Sequence, residues 1–181
     1  SQIRQHIADL FGTPKALEIV QTSTNRIVDL RRLYQQQLLT CAKFVRYFEM
    51  RDQNDKPIYY LFFAGNHPLG HLKMKEAFWK VDATSGFCFS DATNPNQLLL
   101  LEMDESPKLA SELERDFAKQ RVNVGVIEQH VNDKTAFLGS HMRSALAILE
   151  SGKRIEVEEY KTDGNKRRGK SFPQEVVINF K

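Results

Sequence analysis

Hydrophobic positions recur at helical spacing over residues 27–39. Ile27, Leu30, Tyr34 and Leu38 follow one another at intervals of three or four residues, which is typical of a helix that buries one face. No β-branched residue occurs in this stretch after its first turn, so local propensity agrees with the spacing. The sequence therefore predicts a helix at residues 27–39.

A strand pattern follows this helix. Residues 44–50 and 58–64 are rich in aromatic and branched side chains, and the polar stretch 51–57 between them is suited to a turn. The sequence predicts a β-hairpin. Its second strand is almost continuously apolar, and such runs are typical of strands buried on both faces. We therefore expect residues 58–64 to lie inside a larger sheet.

The stretch between this hairpin and residue 104 is less regular. Residues 66–70 have the composition of a loop, and helical spacing returns over 72–81. Residues 84–96 are irregular, with one short apolar strand expected at 87–89.

The final part of the chain predicts three helices followed by a hairpin. The three helices and the two strands are expected at residues 108–120, 124–131, 135–149, 154–160 and 175–180. This is the element order of a winged helix-turn-helix, in which the third helix enters the major groove and the hairpin rests on the backbone.

The third helix divides into an apolar stripe and a polar face. The inward stripe is expected to contain Leu138, Met142, Ala145 or Leu146, and Leu149. The residues expected toward solvent are Ser140, His141, Arg143, Ser144 and Ala147. Small and hydrogen-bonding side chains permit close approach to base edges, and the guanidinium group of Arg143 is suited to pair with a guanine base. Gly152 is a suitable stop for the helix.

The predicted hairpin carries a concentration of positive charge. The chain has 26 Lys and Arg against 23 Asp and Glu, a net charge of +3, whereas residues 161–170 contain five basic side chains and one acidic side chain. Lys166, Arg167, Arg168 and Lys170 are expected to contact phosphates, which provides affinity without sequence information.

Two other interpretations of the basic hairpin remain open. Its tip is a solvated turn in the simplest view, and winged helices also serve as protein-interaction modules. Glu156, Glu158 and Glu159 argue against a uniformly basic face.

Composition excludes several classes of protein. The 181 residues are 41% hydrophobic and 27% charged, which suits a folded chain of one or two small domains. The densest apolar run, residues 98–101, is too short to span a membrane, and no secretory signal is expected at residues 1–9. Cys41 and Cys88 have no Cys-x-x-Cys spacing, so we expect buried thiols in a reduced, cytoplasmic setting.

Candidate chemistry is sparse. No Gly-rich cofactor turn, G-x-S-x-G elbow or H-E-x-x-H helix occurs in the sequence. His67 and His71 are four residues apart, but Pro68 and Gly70 intervene. We therefore expect loop histidines satisfied by the backbone and no metal site.

Residues 73–80 contain one further candidate. Lys73, Lys75 and Lys80 accompany Trp79 and could form a basic, aromatic face. We favour the alternative, in which Trp79 packs on the sheet and the lysines are solvated.

Two regions together resemble the later half of the three-Cys-motif partner proteins. The first comprises YYLFFAGNH at 59–67, Gly70, MKEAFWKVD at 74–82, Gly86-Phe87 and FSD at 89–91. The second comprises TAF at 135–137, Ala145-Leu146, Leu149-Glu150, Gly152 and RGKSFP at 168–173. The resemblance covers roughly residues 30–181 and is specific in order and spacing.

The resemblance implies a methyltransferase-like protein. Its fold class would be α/β (α+β): residues 1–104 would form the end of a Rossmann-type sheet with its closing hairpin, and residues 105–181 a winged helix-turn-helix. The family's N-terminal half, with the loop for S-adenosylmethionine, is absent from this sequence. No catalytic residue or cofactor is therefore expected in this chain, although the complete protein would bind S-adenosylmethionine. Asn66 and His67 would border the substrate.

These observations favour a nucleic-acid-binding module, with DNA ahead of RNA. Alternatives are a part of an S-adenosylmethionine-dependent methyltransferase that acts on nucleic acid, and a module that docks a protein partner. A truncated sheet would also leave an unpaired strand edge at residues 44–64, which invites a homodimer. No membrane partner is expected.

Overall fold

The computed structural model describes residues 2–82, 86–90, 104–160 and 164–181, and it is mixed α and β. The chain divides into two compact units, with the division after Met74. The described residues of the first unit are 2–74 and 87–90, and those of the second are 75–82, 86, 104–160 and 164–181. Residues 83–85 and 91–103, which include part of the predicted irregular stretch and the four consecutive leucines at 98–101, lie outside the described residues.

Three helices open the first unit. They are α1 (Gln2–Phe11), α2 (Lys15–Thr22) and α3 (Arg26–Leu38). Helix α3 confirms the helix predicted at residues 27–39. Neither α1 nor α2 was predicted, although Ile3, Ile7 and Leu10 recur at helical spacing in α1.

A three-stranded sheet completes this unit. Strands β1 (Phe44–Arg51) and β2 (Pro57–Gly65) form the predicted antiparallel hairpin, in which Tyr47 lies opposite Phe62. Strand β3 (Cys88–Ser90) lies parallel to β1, so the described order is β2-β1-β3.

The prediction that the second strand is buried on both faces is wrong. Strand β2 lies at the edge of the described sheet, and Ile58, Tyr59 and Leu61 are each more than half exposed. The buried positions belong to β1, where Phe44, Val45 and Phe48 lie in the core. An apolar run does not by itself distinguish a central strand from an edge strand.

Helix α4 (Pro68–Val81) begins earlier than predicted. Residues 66–70 were expected to form a loop, but Pro68 occupies the first helical position. Proline is favourable there because its missing N–H would have no intrahelical acceptor. Gly70 is therefore inside the helix.

The second unit contains the predicted helices with small shifts of their ends. They are α5 (Ser106–Asp116), α6 (Val124–Lys134) and α7 (Gly139–Ser151). Their apolar stripes form one core, to which α5 and the residue after it contribute Leu109, Leu113 and Phe117. The predicted stripe of α7 is buried at Met142, Ala145, Leu146 and Leu149, whereas Leu138 precedes the helix and is only half-buried.

A small antiparallel sheet lies in the same unit. The predicted strands correspond to the shorter β5 (Ile155–Val157) and β6 (Val177–Phe180). A third strand, β4 (Arg121–Asn123), was not predicted and pairs with β6, so the order is β4-β6-β5.

The end of α7 differs from the expected glycine stop. Gly152 has a φ of −79°, and the left-handed residue is Lys153, with a φ of 56°. The N–H of Arg154 donates to the carbonyl of Leu149, and the N–H of Lys153 donates to that of Glu150. These two bonds form a Schellman motif, in which a lysine takes the place that glycine usually occupies.

Both cysteines differ from the predicted buried thiols. Cys41 is exposed and its thiol donates to the carbonyl of Leu38, while Cys88 is half-buried in β3. Among the helices that the structure describes, none combines the length and apolar character needed to cross a bilayer.

Candidate nucleic-acid interface

The face of α7 opposite its buried stripe presents short polar side chains and one cation. Ser140, Arg143 and Ser144 are exposed, as predicted from the helical spacing, and Ala147 is half-buried. Arg143 has no ion-pair partner among the described residues. Its five N–H donors are therefore available to a ligand on this side of the helix.

His141 has a different position from the one predicted. Its ring centroid lies 4.3 Å from that of Trp79, and its Nδ1 accepts a hydrogen bond of 3.1 Å from the backbone N–H of Leu138. This bond satisfies a donor just before the first turn of α7. Desolvation by this packing lowers the pKa of His141, an effect that Asp104 opposes. His141 therefore supports the start of α7 from the core side.

Arg168 and Lys170 lie on a tight turn between β5 and β6. The backbone N–H of Ser171 donates to the carbonyl of Arg168 at 3.0 Å, and the Ser171 hydroxyl donates to the same oxygen at 2.6 Å. Lys170 has a φ of 58°, a conformation unusual for a residue with a side chain. Both basic side chains are exposed, and neither has an ion-pair partner among the described residues.

The side chain of Arg167 is largely buried, although it was predicted to be exposed at the tip of the hairpin. Its side chain is only 10% exposed and pairs with Glu150 of α7. It also donates to the carbonyl of Ser171 at 3.1 Å and lies over the ring of Phe172. Arg167 therefore attaches the turn to α7 and is not available to a phosphate in this arrangement.

The three glutamates on the first arm of the hairpin each form an ion pair with a cation. The three ion pairs are Glu156 with Lys181 at 3.1 Å, Glu158 with Arg121 at 2.5 Å, and Glu159 with Lys166 at 3.0 Å. Lys166 is exposed, but it is shared with Glu159. The acidic residues that argued against a basic face therefore have local partners, and Arg168 and Lys170 remain as the unpaired cations of the turn among residues 164–171.

The contact between Arg167 and Glu150 relates the turn to the exposed face of α7. Glu150 follows Arg143 by seven residues, which is two helical turns and roughly 10 Å along the same side of the helix. The turn is therefore anchored to the stripe that carries Arg143. Sequence spacing could have placed Glu150 on this stripe, but not its partner.

Asn66 and His67, predicted to border a substrate, have local structural contacts in the first unit. The Asn66 side-chain oxygen accepts from the backbone N–H of Lys43 at 2.7 Å. His67 Nδ1 accepts from the N–H of Leu69 at 3.2 Å, in the first turn of α4. This second bond agrees with the expectation of a histidine satisfied by the backbone.

His71 is buried in α4 and was wrongly expected in a loop. Its ring stacks on Phe44 at 4.5 Å, and its Nε2 accepts from Arg46 at 3.4 Å. Burial lowers the pKa of Arg46 to about 10. Within the described ranges, no group of three or more His, Cys, Asp or Glu side chains is placed to hold a metal ion.

Lys75 and Trp79 overturn the expectation of solvated lysines beside a tryptophan on the sheet. Lys75 is 1% exposed and its amine donates to the carbonyl of Val131 at 2.9 Å. Trp79 donates from Nε1 to the carbonyl of Ala136 at 2.8 Å and belongs to the helical core of the second unit. Of these three lysines, Lys73 and Lys80 are exposed.

Comparisons of the chain with models of protein families, with curated proteins and with solved structures gave no match.

Proposed function

We propose that the second unit is a winged helix-turn-helix module that binds duplex nucleic acid, DNA in preference to RNA. The order α5-β4-α6-α7-β5-β6 supports this assignment, as does the four-residue connection between α6 and α7. In this proposal α7 is the recognition helix, and the turn at 168–171 lies on the wing, after the antiparallel bridge between Tyr160 and Lys166.

One observation carries the proposal. The Arg167–Glu150 ion pair anchors the turn that bears the unpaired Arg168 and Lys170 to the helix stripe that bears the unpaired Arg143. Arg168 and Lys170 would contact phosphates, and Arg143 would reach a guanine edge beside Ser140 and Ser144. Lys166 would add a phosphate contact only by leaving Glu159. His141 and Arg167 would position the helix and the wing without contacting the ligand.

We also propose that the chain is the later part of a methyltransferase-like protein similar to the three-Cys-motif partners. The antiparallel β1-β2 hairpin beside the parallel pair β1-β3 is compatible with the closing end of a Rossmann-type sheet. S-adenosylmethionine and the methyl-transfer step would belong to the complete protein, and no residue of this chain is assigned to them.

Fluorescence anisotropy with a labelled duplex tests the nucleic-acid proposal through matched charge variants. We expect the double variant Arg168→Gln/Lys170→Gln to weaken binding about tenfold at low salt, whatever the duplex sequence. Arg143→Gln should weaken binding and reduce any preference for guanine-containing sites. Arg4→Gln/Lys15→Gln removes the same charge from exposed positions of the first unit and is the control.

Two results would oppose the proposal. If Arg168→Gln/Lys170→Gln and the control variant lose the same amount of duplex affinity, the loss would show only a general effect of net charge. If the unaltered chain binds no duplex even at low salt, the proposal is wrong, and the exposed face of α7 would be left as a surface for a protein partner.

A further inference from the structure

An apolar cleft opens in the first unit between α1, α3 and β2, far in sequence from the proposed nucleic-acid interface. It encloses about 360 Å³, which lies within the range of small-molecule sites. Residues from all three elements line it: Leu10 and Phe11 from α1, Ile27, Arg31 and Tyr34 from α3, and Phe62 from β2.

Aromatic rings form a connected wall in this cleft. The Tyr34 ring lies edge-on to Phe11 at 5.7 Å and edge-on to Phe62 at 4.9 Å. Such contacts fix ring positions, because edge-to-face pairs have a preferred geometry. The three rings therefore offer a preformed apolar surface to a flat molecule, and Leu10 and Ile27 extend that surface at positions that are 67% and 55% exposed.

Arg31 provides the charged group of the cleft. Its guanidinium carbon lies 4.0 Å from the centroid of the Tyr47 ring, and among the described residues no carboxylate pairs with it. The next residue, Arg32, faces Asp29 at 3.7 Å. Arg31 is thus a guanidinium held over a ring beside an apolar cleft, with N–H donors that fit a carboxylate or sulfonate.

We propose that this cleft binds a small organic anion with a planar apolar body. The body packs against Phe11, Tyr34 and Phe62, and the anionic group pairs with Arg31. The proposed nucleic-acid function does not use any of these residues, so this is a second site with a different ligand.

Two fluorescent probes separate the charge from the apolar body. 8-Anilinonaphthalene-1-sulfonate and N-phenyl-1-naphthylamine share the ring system, and only the first carries a sulfonate. We expect Arg31→Gln to raise the Kd of the sulfonate probe by roughly fivefold to tenfold and that of the uncharged probe by less than about twofold. Arg31→Lys should recover part of the difference because it keeps the charge.

Control variants separate the cleft from other exposed apolar positions. Ile27→Ser should weaken the binding of both probes, whereas Leu69→Ser removes an equally exposed leucine outside the cleft and should change neither Kd. Arg32→Gln is the charge control on α3. Circular dichroism melts establish that each variant is folded.

Equal changes for the two probes in Arg31→Gln would overturn the assignment of Arg31. The site itself would be overturned if Ile27→Ser and Leu69→Ser had the same effect, because binding would then follow exposed apolar area in general. If Arg31→Gln does not fold, Arg31→Lys decides: loss of the sulfonate preference despite the retained charge would contradict the proposal.

Discussion

The ammonium group of Lys75 is buried against the end of a helix. It donates to the carbonyls of Val131 at 2.9 Å and Asn132 at 3.3 Å, both in the last turn of α6. Carbonyls at this end carry the negative end of the helix dipole, and that of Val131 also accepts from the N–H and the hydroxyl of Thr135 at 3.4 and 2.8 Å. Lys75 therefore acts as a C-terminal cap from a distant part of the sequence.

Replacement of Lys75 by methionine tests this role. Methionine keeps most of the apolar stem but removes the charged donor of both hydrogen bonds, so we expect Lys75→Met to lower the free energy of unfolding by about 1.5–3 kcal/mol. Lys80→Met, at an exposed position of the same helix, should change it by less than about 0.5 kcal/mol. Urea denaturation measures both, and equal effects would show that the buried amine contributes nothing specific.

The packing of His141 predicts a pH dependence of stability. Desolvation lowers the pKa of its imidazole in the folded chain, so the unfolded chain takes up the proton more readily. The stabilisation is therefore fully present above the unfolded pKa of about 6.5 and is lost as pH falls through the lower folded value. Protonation of Nδ1 would also remove the hydrogen bond from Leu138.

A comparison of His141→Gln with the unaltered chain measures this effect. We expect the advantage of the unaltered chain in unfolding free energy to be larger at about pH 7.5 than at about pH 5. His6→Gln, at an exposed histidine of α1, is the control for the loss of one imidazole elsewhere in the chain. If the difference in unfolding free energy between His141→Gln and the unaltered chain is the same at both pH values, the assignment of a buried, neutral imidazole is wrong.

The sequence could predict which residues share a helix face, but it could not predict for every side chain whether it is buried. The stripe of α7 and its exposed Ser140, Arg143 and Ser144 followed from spacing. Lys75 and Arg167 were predicted to be exposed but are buried. A long basic side chain has an apolar stem and a charged head, so it fits both a buried and an exposed position. Only the tertiary partners, a helix end for Lys75 and Glu150 for Arg167, decide between the two.

At the scale of elements, β2 lies at the edge of the sheet that the described residues form, and it has little protection against pairing. No charged residue occurs from Ile58 to Gly65, and Pro57 stands only at its first position. Edge strands of natural proteins usually carry charges, bulges or prolines that prevent association. We therefore expect β2 to pair antiparallel with β2 of a second copy.

Light scattering over a concentration series tests this pairing. We expect the mass to rise from 20.9 kDa toward about twice that value, and Leu61→Lys to weaken association by roughly tenfold because the introduced amines would meet near the two-fold axis. Leu69→Lys alters a similarly exposed leucine outside the strand and is the control. A monomer at high concentration would contradict the expectation.

The elements themselves were predictable where periodicity was strong. The β1-β2 hairpin and helices α3, α5, α6 and α7 were recognised, whereas β4 has only three residues and depends on its pairing with β6. The burial of β2 could not be predicted, because an apolar run specifies a strand but not its place in the sheet.

At the scale of the whole molecule, the net charge of +3 is too small to indicate a nucleic-acid-binding protein. What favours one is local: the hairpin glutamates are paired within the second unit, while Arg143, Arg168 and Lys170 have no described ion-pair partner. A function that depends on so few cations should be sensitive to salt in proportion to their number.

The dependence of duplex affinity on salt therefore tests the central claim most directly. The full chain is titrated onto a labelled generic duplex by fluorescence anisotropy at a series of salt concentrations. Two or three phosphate contacts predict a slope of log Kobs against log salt between about −2 and −3. Absence of binding at low salt, or binding that does not change with salt, would contradict the proposed interface.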